Sequence, residues 1–442
     1  MDNQIKDTFL SRNGVSYIVP FILVTSCFAL WGFANDITNP MVKAFSKIFR
    51  MSVTDGALVQ VAFYGGYFAM AFPAAMFIRK YSYKAGVLMG LGLYAVGALM
   101  FLPASWTGMY YPFLVAYFIL TCGLSFLETS CNPYIYCMGG EQSGIQRLNA
   151  AQAFNALGGV AGMFLATAVH SQISTTDTLD RLNMPLQQFN ILKDHDLGVL
   201  IQPYILIGAV VVIILVVIWL TRMPDFKTDD AQKPLKTVLS ELFQYENYRE
   251  GVLAEFCYVG AQVACWTFII QYGTRIFMAE GMTEQNADLT AQKFNVIALC
   301  FFAASRFICT WLMQWFTPAR LLSSAAIIGI VAVFGAITFT DRNGIYCLVA
   351  VSICLSLMFP TIYGLALHGI GENIKIAGAG LIMAILGGSF FPPIQAAIIE
   401  SNVSIFGLPS TNISFVIPML CLAVVGWYGH RAYVRLSIRG TR

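Results

Sequence analysis

Two carboxylates stand alone in apolar sequence, where an ionised group is costly. Glu128 lies in PFLVAYFILTCGLSFLETSCNPYIYCM, a run from Pro112 to Met138 with no other charged residue. Asp36 interrupts FILVTSCFALWGFANDITNPMV, the first apolar run of the chain. A charge at bilayer depth costs roughly 2.5–3.5 kcal/mol on insertion scales, so carboxylates found there usually face a protein-lined cavity and mark an ion or substrate path. Removal from water disfavours the charged form of a carboxyl group. Such a group can load a proton on one side of a membrane and release it on the other. The alternative for each is a structural carboxylate that holds a neighbouring helix by hydrogen bonds.

Amides and one indole accompany the acids. Asn35, Thr38 and Asn39 surround Asp36. On a helix 35, 38 and 39 share a face, and 36 lies one turn from 39; Pro40 can loosen the backbone just beyond. Thr129, Ser130 and Asn132 follow Glu128, and RLNAAQAFN sets Asn149, Gln152 and Asn155 on one helical face. Amides supply both donors and acceptors, which suits a polyhydroxylated ligand such as a sugar; hydrogen bonding between helices is the competing use. In EFCYVGAQVACWTFIIQYG, Gln262 and Trp266 are one turn apart. An indole can pack on the C–H face of a pyranose while the amide binds hydroxyls, although a tryptophan in a membrane helix also serves as packing or as an interface anchor. Glu255 is expected near the inner end of its span, solvated at headgroup level. Arg306, in CFFAASRFICTWL, needs a partner, and a carbonyl cap or an ion pair suits it as well as a substrate does.

The elements that position these groups follow from composition. The 442 residues are 57% hydrophobic and 11% charged, with a mean hydropathy of +0.68, against about 25% charged in soluble domains. An all-α, polytopic membrane protein is expected. Stretches long enough to span, roughly 20 apolar residues, number twelve: 18–40, 57–78, 85–104, 110–138, 148–170, 201–221, 251–277, 294–316, 320–340, 345–368, 376–399 and 411–431. With the N-terminus inside, most of the 26 Lys and Arg fall in inner segments, which places both termini in the cytoplasm. The polar first 17 residues and the absence of a small-residue cleavage site make the first run a retained signal anchor. The eleven cysteines show no C-x-x-C pair or metal-ligand spacing, so no disulfide, metal or other cofactor is expected. No Gly-rich phosphate loop is present, which argues against direct ATP coupling. The polar stretch 222–250 divides the spans six and six. The expected organisation is an N-terminal bundle over 1–221, a cytoplasmic linker over 222–250 and a C-terminal bundle over 251–442. Their pseudo-symmetry is inferred from spacing alone, and the site is expected near the midplane. LGGSFFPP (386–393) is a candidate for a bent or broken helix.

WGFANDITNP (31–40), AFYGGYFAMAFPAAMFIRKYSYKAGVLMGLGLYAVGALMF (62–101), GLSFLETSCNPY (123–134), RLNAAQAFN (147–155), FCYVGAQVACWTFIIQY (256–272) and FPTIY (359–363) together resemble the fucose–proton symporter family of the major facilitator superfamily. The resemblance runs in order along nearly the whole chain. It implies the twelve-helix, two-bundle major facilitator fold and a monomeric, non-enzymatic, proton-coupled importer of a monosaccharide in a bacterial inner membrane. Sugar, proton and lipid bilayer are the partners implied, and no nucleic acid. Asp36 and Glu128 would couple the proton; Asn35, Asn39, Glu128, Gln152, Asn155, Gln262 and Trp266 would contact the sugar. Three features depart from the pattern. The family's span-one motif has Asn at the position of Asp36 and Asp at that of Asn39, so the acid here is shifted about 4.5 Å along the helix and roughly 60° around it. Phe359 stands where the fucose-type pattern has Tyr, and IRKYSYKAG lacks the usual Asp-Arg pair of the loop between spans two and three. L-fucose, galactose, glucose and other monosaccharides all suit these groups, as does a sodium-coupled or uniporting carrier; a non-transporting sugar receptor is the reading from a different class.

Overall fold

In a bilayer an apolar run satisfies its backbone by forming a helix, and the chain does so almost throughout. The computed structural model describes residues 9–12, 15–51, 58–172, 181, 184–226, 234–401, 403–404 and 407–440. Eleven helices among the described residues have the length and hydropathy to cross a membrane. The expected fifth span, 148–170, lies on a further helix, Gly144–Gln172. Among the described residues each of the twelve expected spans therefore lies mostly on helix.

The chain forms two compact units, residues 1–140 with 154–232, and 141–153 with 233–442. The first contains α1 (Ile18–Phe49), α2 (Leu58–Lys80), α3 (Tyr83–Leu99), α4 (Phe101–Thr107), α5 (Tyr111–Cys137), α6 (Gly144–Gln172) from Phe154 onward, and α7 (Leu186–Leu220). Small residues let these helices approach, as is usual in membranes. A Cβ on Gly90 would meet Leu127 and the Gly123 carbonyl, and one on Gly66 would meet Thr121, so α2 and α3 both lie close on α5. The same holds between α1 and α6, where Gly158 faces the Ala29 carbonyl and Gly162 the Phe33 carbonyl. α7 begins at Leu186, ahead of the expected 201, and within its added turns Asp196 is fully buried against Arg181 at 2.6 Å.

The second unit contains the first turns of α6, then α8 (Leu235–Gln244), α9 (Glu246–Ala279), α10 (Glu284–Leu312), α11 (Pro318–Thr338), α12 (Arg342–Leu355), α13 (Met358–Leu367), α14 (Ile374–Met383), α15 (Gly387–Glu400), α16 (Ser410–Ile413) and α17 (Val416–Gly440). Three of its spans are interrupted, the twelfth at residues 414–415 between α16 and α17. The stretch expected to bend at LGGSFFPP passes through a 3-10 turn, Ala384–Leu386, between α14 and α15, while both prolines lie inside α15. The tenth span breaks between α12 and α13, a discontinuity the hydropathy did not reveal. Proline lacks an N–H and its ring crowds the carbonyl four residues earlier. For Pro360 that carbonyl belongs to Ser356, the residue at the break. Glu255, expected at headgroup level, is instead fully buried on α9. Its helix starts nine residues earlier, at Glu246, and position 255 lies on the side packed inside the unit.

Candidate functional site

In the first unit the two acids lie on different helices and are served by one face of α2. Glu128, on α5, is 5% exposed. The Tyr67 hydroxyl donates to its Oε1 at 2.8 Å and also faces Asn35 Oδ1 on α1 at 3.2 Å. Tyr67 is held from behind, since Ser125 Oγ of α5 donates to its backbone carbonyl at 3.1 Å. Asp36 is half-buried on α1. Its Oδ2 lies directly over the Cα of Gly159 on α6, where a Cβ would collide with it. Tyr64, one turn before Tyr67, is close enough to Asp36 for their charges to interact. Glu128, Asn35 and Tyr67 thus form one hydrogen-bonded group, with Asp36 beside it on α1.

Two polar groups near Glu128 bond to their own helix. Asn132 Nδ2 donates to the Glu128 backbone carbonyl at 3.0 Å, and Ser130 Oγ donates to Phe126 O at 2.6 Å. Pro133, also inside α5, has no N–H for the Thr129 carbonyl four residues earlier. Asn155, half-buried on α6, donates to Phe28 O on α1 at 3.2 Å. Asn39 belongs to α1, but its side chain lies outside the described residues.

The remaining sugar-contact candidates belong to the second unit. Gln152 is 4% exposed, and Gln262 is half-buried on α9. Trp266, also on α9, donates from Nε1 to Ser352 Oγ of α12 at 3.2 Å, and its ring stands edge-on to Phe302 with centroids 4.9 Å apart. The indole is therefore fixed in orientation by one hydrogen bond and one ring. Asn149 donates to Ile145 O and to Thr361 Oγ1, at 3.0 and 3.2 Å. This is a helix-to-helix bond, the competing use of an amide in a membrane.

Arg306 resolves as a carbonyl cap. Its Nε donates to Ser356 O at 2.5 Å and one Nη to Gln152 O at 2.9 Å, while the guanidinium lies over the Phe302 ring at 4.5 Å. The carbonyl crowded by Pro360 thus receives a charged donor in place of a peptide N–H. The same arginine takes the backbone carbonyl of Gln152, a sugar-contact candidate. Sequence reasoning missed Tyr64, Tyr67 and Gly159. The signal available for the tyrosines was their spacing in FYGGYF, which puts both on one side of α2.

Comparison with known proteins bears on the family and the fold. The family model described as Major Facilitator Superfamily matches residues 24–393. An L-fucose-proton symporter of Haemophilus influenzae is 46% identical over 424 residues, covering 94% of this chain and 97% of that protein. An L-fucose-proton symporter of Escherichia coli is 35% identical, covering 95% and 94%. The crystal structure of the E. coli fucose:proton symporter superposes with a TM-score of 0.84 at 32% identity, over 95% of this chain and 99% of that one.

Proposed function

The chain belongs to the Major Facilitator Superfamily, and from that premise we propose that it is a proton-coupled sugar importer of the alternating-access kind, with L-fucose the first substrate to test. The observation that carries the proposal is the buried Glu128 carboxylate held by Tyr67, which also faces Asn35, a candidate sugar contact. A proton carrier and a sugar contact share one hydroxyl there. Asp36, more open than Glu128, is assigned the main coupling role, and Glu128 is shared between proton and sugar. Asn35, Asn39, Gln152, Asn155, Gln262 and Trp266 are assigned to sugar contacts. Each proton entering with sugar adds about 2.3 kcal/mol per 100 mV of membrane potential to the driving force. The proposed working division keeps bundles over 1–221 and 251–442 with the linker 222–250 between them. The placement is a bacterial inner membrane, with a monomer and both termini cytoplasmic, supported by the basic inner segments and by the bacterial relatives.

The test is sugar-induced alkalinisation in cells expressing the chain, read with a pH electrode over a panel of L-fucose, D-galactose, D-glucose and D-fructose. A response to at least one sugar is expected, and it should be lost in Asp36→Asn and in Glu128→Gln. Alkalinisation that survives both substitutions sinks the coupling assignment, and uptake that needs sodium at fixed pH replaces the proton. The choice of sugar is the open part of the proposal. The exchange of acid and amide between Asp36 and Asn39 favours testing galactose and glucose beside L-fucose.

A further inference from the structure

Tyr67 presents one hydrogen to two acceptors, Glu128 Oε1 at 2.8 Å and Asn35 Oδ1 at 3.2 Å. A phenol carries a single donor, a carboxylate accepts only, and a protonated carboxyl also donates. The bond that Tyr67 gives must therefore depend on whether Glu128 holds a proton. With Glu128 ionised, the tyrosine hydrogen goes to the carboxylate, because hydrogen bonds to charged acceptors are the stronger ones. Asn35 Oδ1 then faces the tyrosine oxygen with no hydrogen between them. When a proton adds to Glu128, its new O–H donates to the tyrosine oxygen. The tyrosine hydrogen rotates to Asn35 Oδ1, and no covalent bond of Tyr67 breaks.

The rest of Tyr67 is held in place. Its carbonyl accepts from Ser125 Oγ, its ring lies 5.7 Å from Phe63, and Gly66 beside it packs directly on α5. The side chain is 5% exposed. The hydroxyl torsion is the one soft coordinate, which is what a relay requires.

We propose that Tyr67 is a positioning residue that passes the protonation state of Glu128 to Asn35, and so links proton occupancy to sugar affinity. This rests on the symport reading above, where Tyr67 only holds Glu128, and gives the tyrosine a switching role of its own. The other titratable groups around Glu128 do not compete for the role. On α2 the neighbour is Tyr64, which faces Asp36 of α1. Cys131, one turn along on α5, interacts with Cys27 of α1 and, more weakly, with Glu128. From α3, Gly86 and Gly90 meet α5 at Ser130 and Leu127, and the Tyr94 hydroxyl is spent on Leu30 O.

The experiment measures sugar affinity between pH 6 and 8 with the purified full-length chain, using whichever of L-fucose, D-galactose or D-glucose the wild type transports. Wild type is expected to change affinity with pH on the order of tenfold, the size of one hydrogen bond to a charged group. Tyr67→Phe should flatten that dependence to less than about twofold, and in the Glu128→Gln background it should have no further effect. If Tyr67→Phe does not fold, Asn35→Ala removes the other end of the relay and should flatten the same profile. A wild-type pH profile in either folded variant, or additive effects of Tyr67→Phe and Glu128→Gln, overturns the relay. Failure of the symport reading looks different, since the wild type itself would then show no sugar-induced proton uptake.

Discussion

Gly158 and Gly159 are adjacent on α6 and both face α1, yet alanine at the two positions should do different things. A Cβ on Gly158 falls on the Ala29 carbonyl oxygen and carbon, which are backbone. Room can be made only by separating the two helices. Overpacking of this kind costs about 1–3 kcal/mol, and the gain from replacing glycine by alanine within a helix returns at most about 1 kcal/mol. Gly158→Ala should therefore lower thermal stability by roughly 1–2 kcal/mol. A Cβ on Gly159 falls instead on Asp36 Oδ2, the end of a side chain, and the nearest backbone atom, Gly32 O, is an ordinary 3.6 Å away. Asp36 can swing aside, so helix propensity offsets much of the strain and stability should stay within about 1 kcal/mol of wild type. The carboxylate, however, leaves its position by an ångström or more, and displacements of that order can cost about a hundredfold where a group must be aligned. The assay pairs thermal unfolding in detergent with sugar-induced alkalinisation in proteoliposomes. Expected are a less stable Gly158→Ala and a stable Gly159→Ala whose proton uptake falls at least about tenfold. A stable Gly159→Ala with wild-type proton uptake would refute the reasoning, because Asp36 would then be tolerant of place.

Three further outcomes follow from the same contacts. Arg306→Met fills the volume but removes the donor to Ser356 O, which Pro360 cannot replace, and a buried carbonyl left without a partner costs about 1–3 kcal/mol; relief of the buried charge offsets part of this, so a net loss of thermal stability is expected, and unchanged unfolding would show that Arg306 is not the cap. Ser352→Ala takes the acceptor from Trp266 Nε1 and should weaken sugar binding about fivefold, roughly 1 kcal/mol; unchanged affinity would make Trp266 a packing residue. On the exposed surface, Arg342 donates to both oxygens of Glu280 and holds its carboxyl below the ordinary carboxylate range. A lowered folded value means that the stabilisation is present above the unfolded pKa and is lost as pH falls through the folded one. Acidification in that window should destabilise wild type more than Arg342→Met, and parallel acid unfolding curves would contradict this.

Glu128 and Asp36 were legible as functional candidates because a lone carboxylate in an apolar run is costly wherever the helix goes. Amides carried less information. Asn132 and Ser130 share the neighbourhood of Glu128, yet they bond to their own helix, and Asn149 bonds across to Thr361. Spacing on a helical face cannot distinguish a ligand contact from such uses, since both need the same residue types. Tyr67 was missed for a related reason. The chain has 20 tyrosines, and one more in an apolar helix has no mark of its own until Glu128, 61 residues away, is packed beside it. Position 255 went wrong because its burial is set by the helices packed around α9, which its place near the start of an apolar run does not reveal. The break at Ser356 was readable in principle from Pro360, but a proline near a span's middle can also be absorbed by a kink.

Hydropathy is a local and additive property, so the amino-acid sequence by itself determined that the chain is helical, that it crosses a membrane many times, and where its isolated charges fall. Hydrogen-bond partners are neither local nor additive. Only the packing of α1, α2 and α5 decided that Glu128 shares a tyrosine with Asn35, and only the approach of α6 decided that Asp36 rests on a glycine. Those choices turn on distances of a few tenths of an ångström between residues far apart in the chain, and they exist only once the helices are in contact.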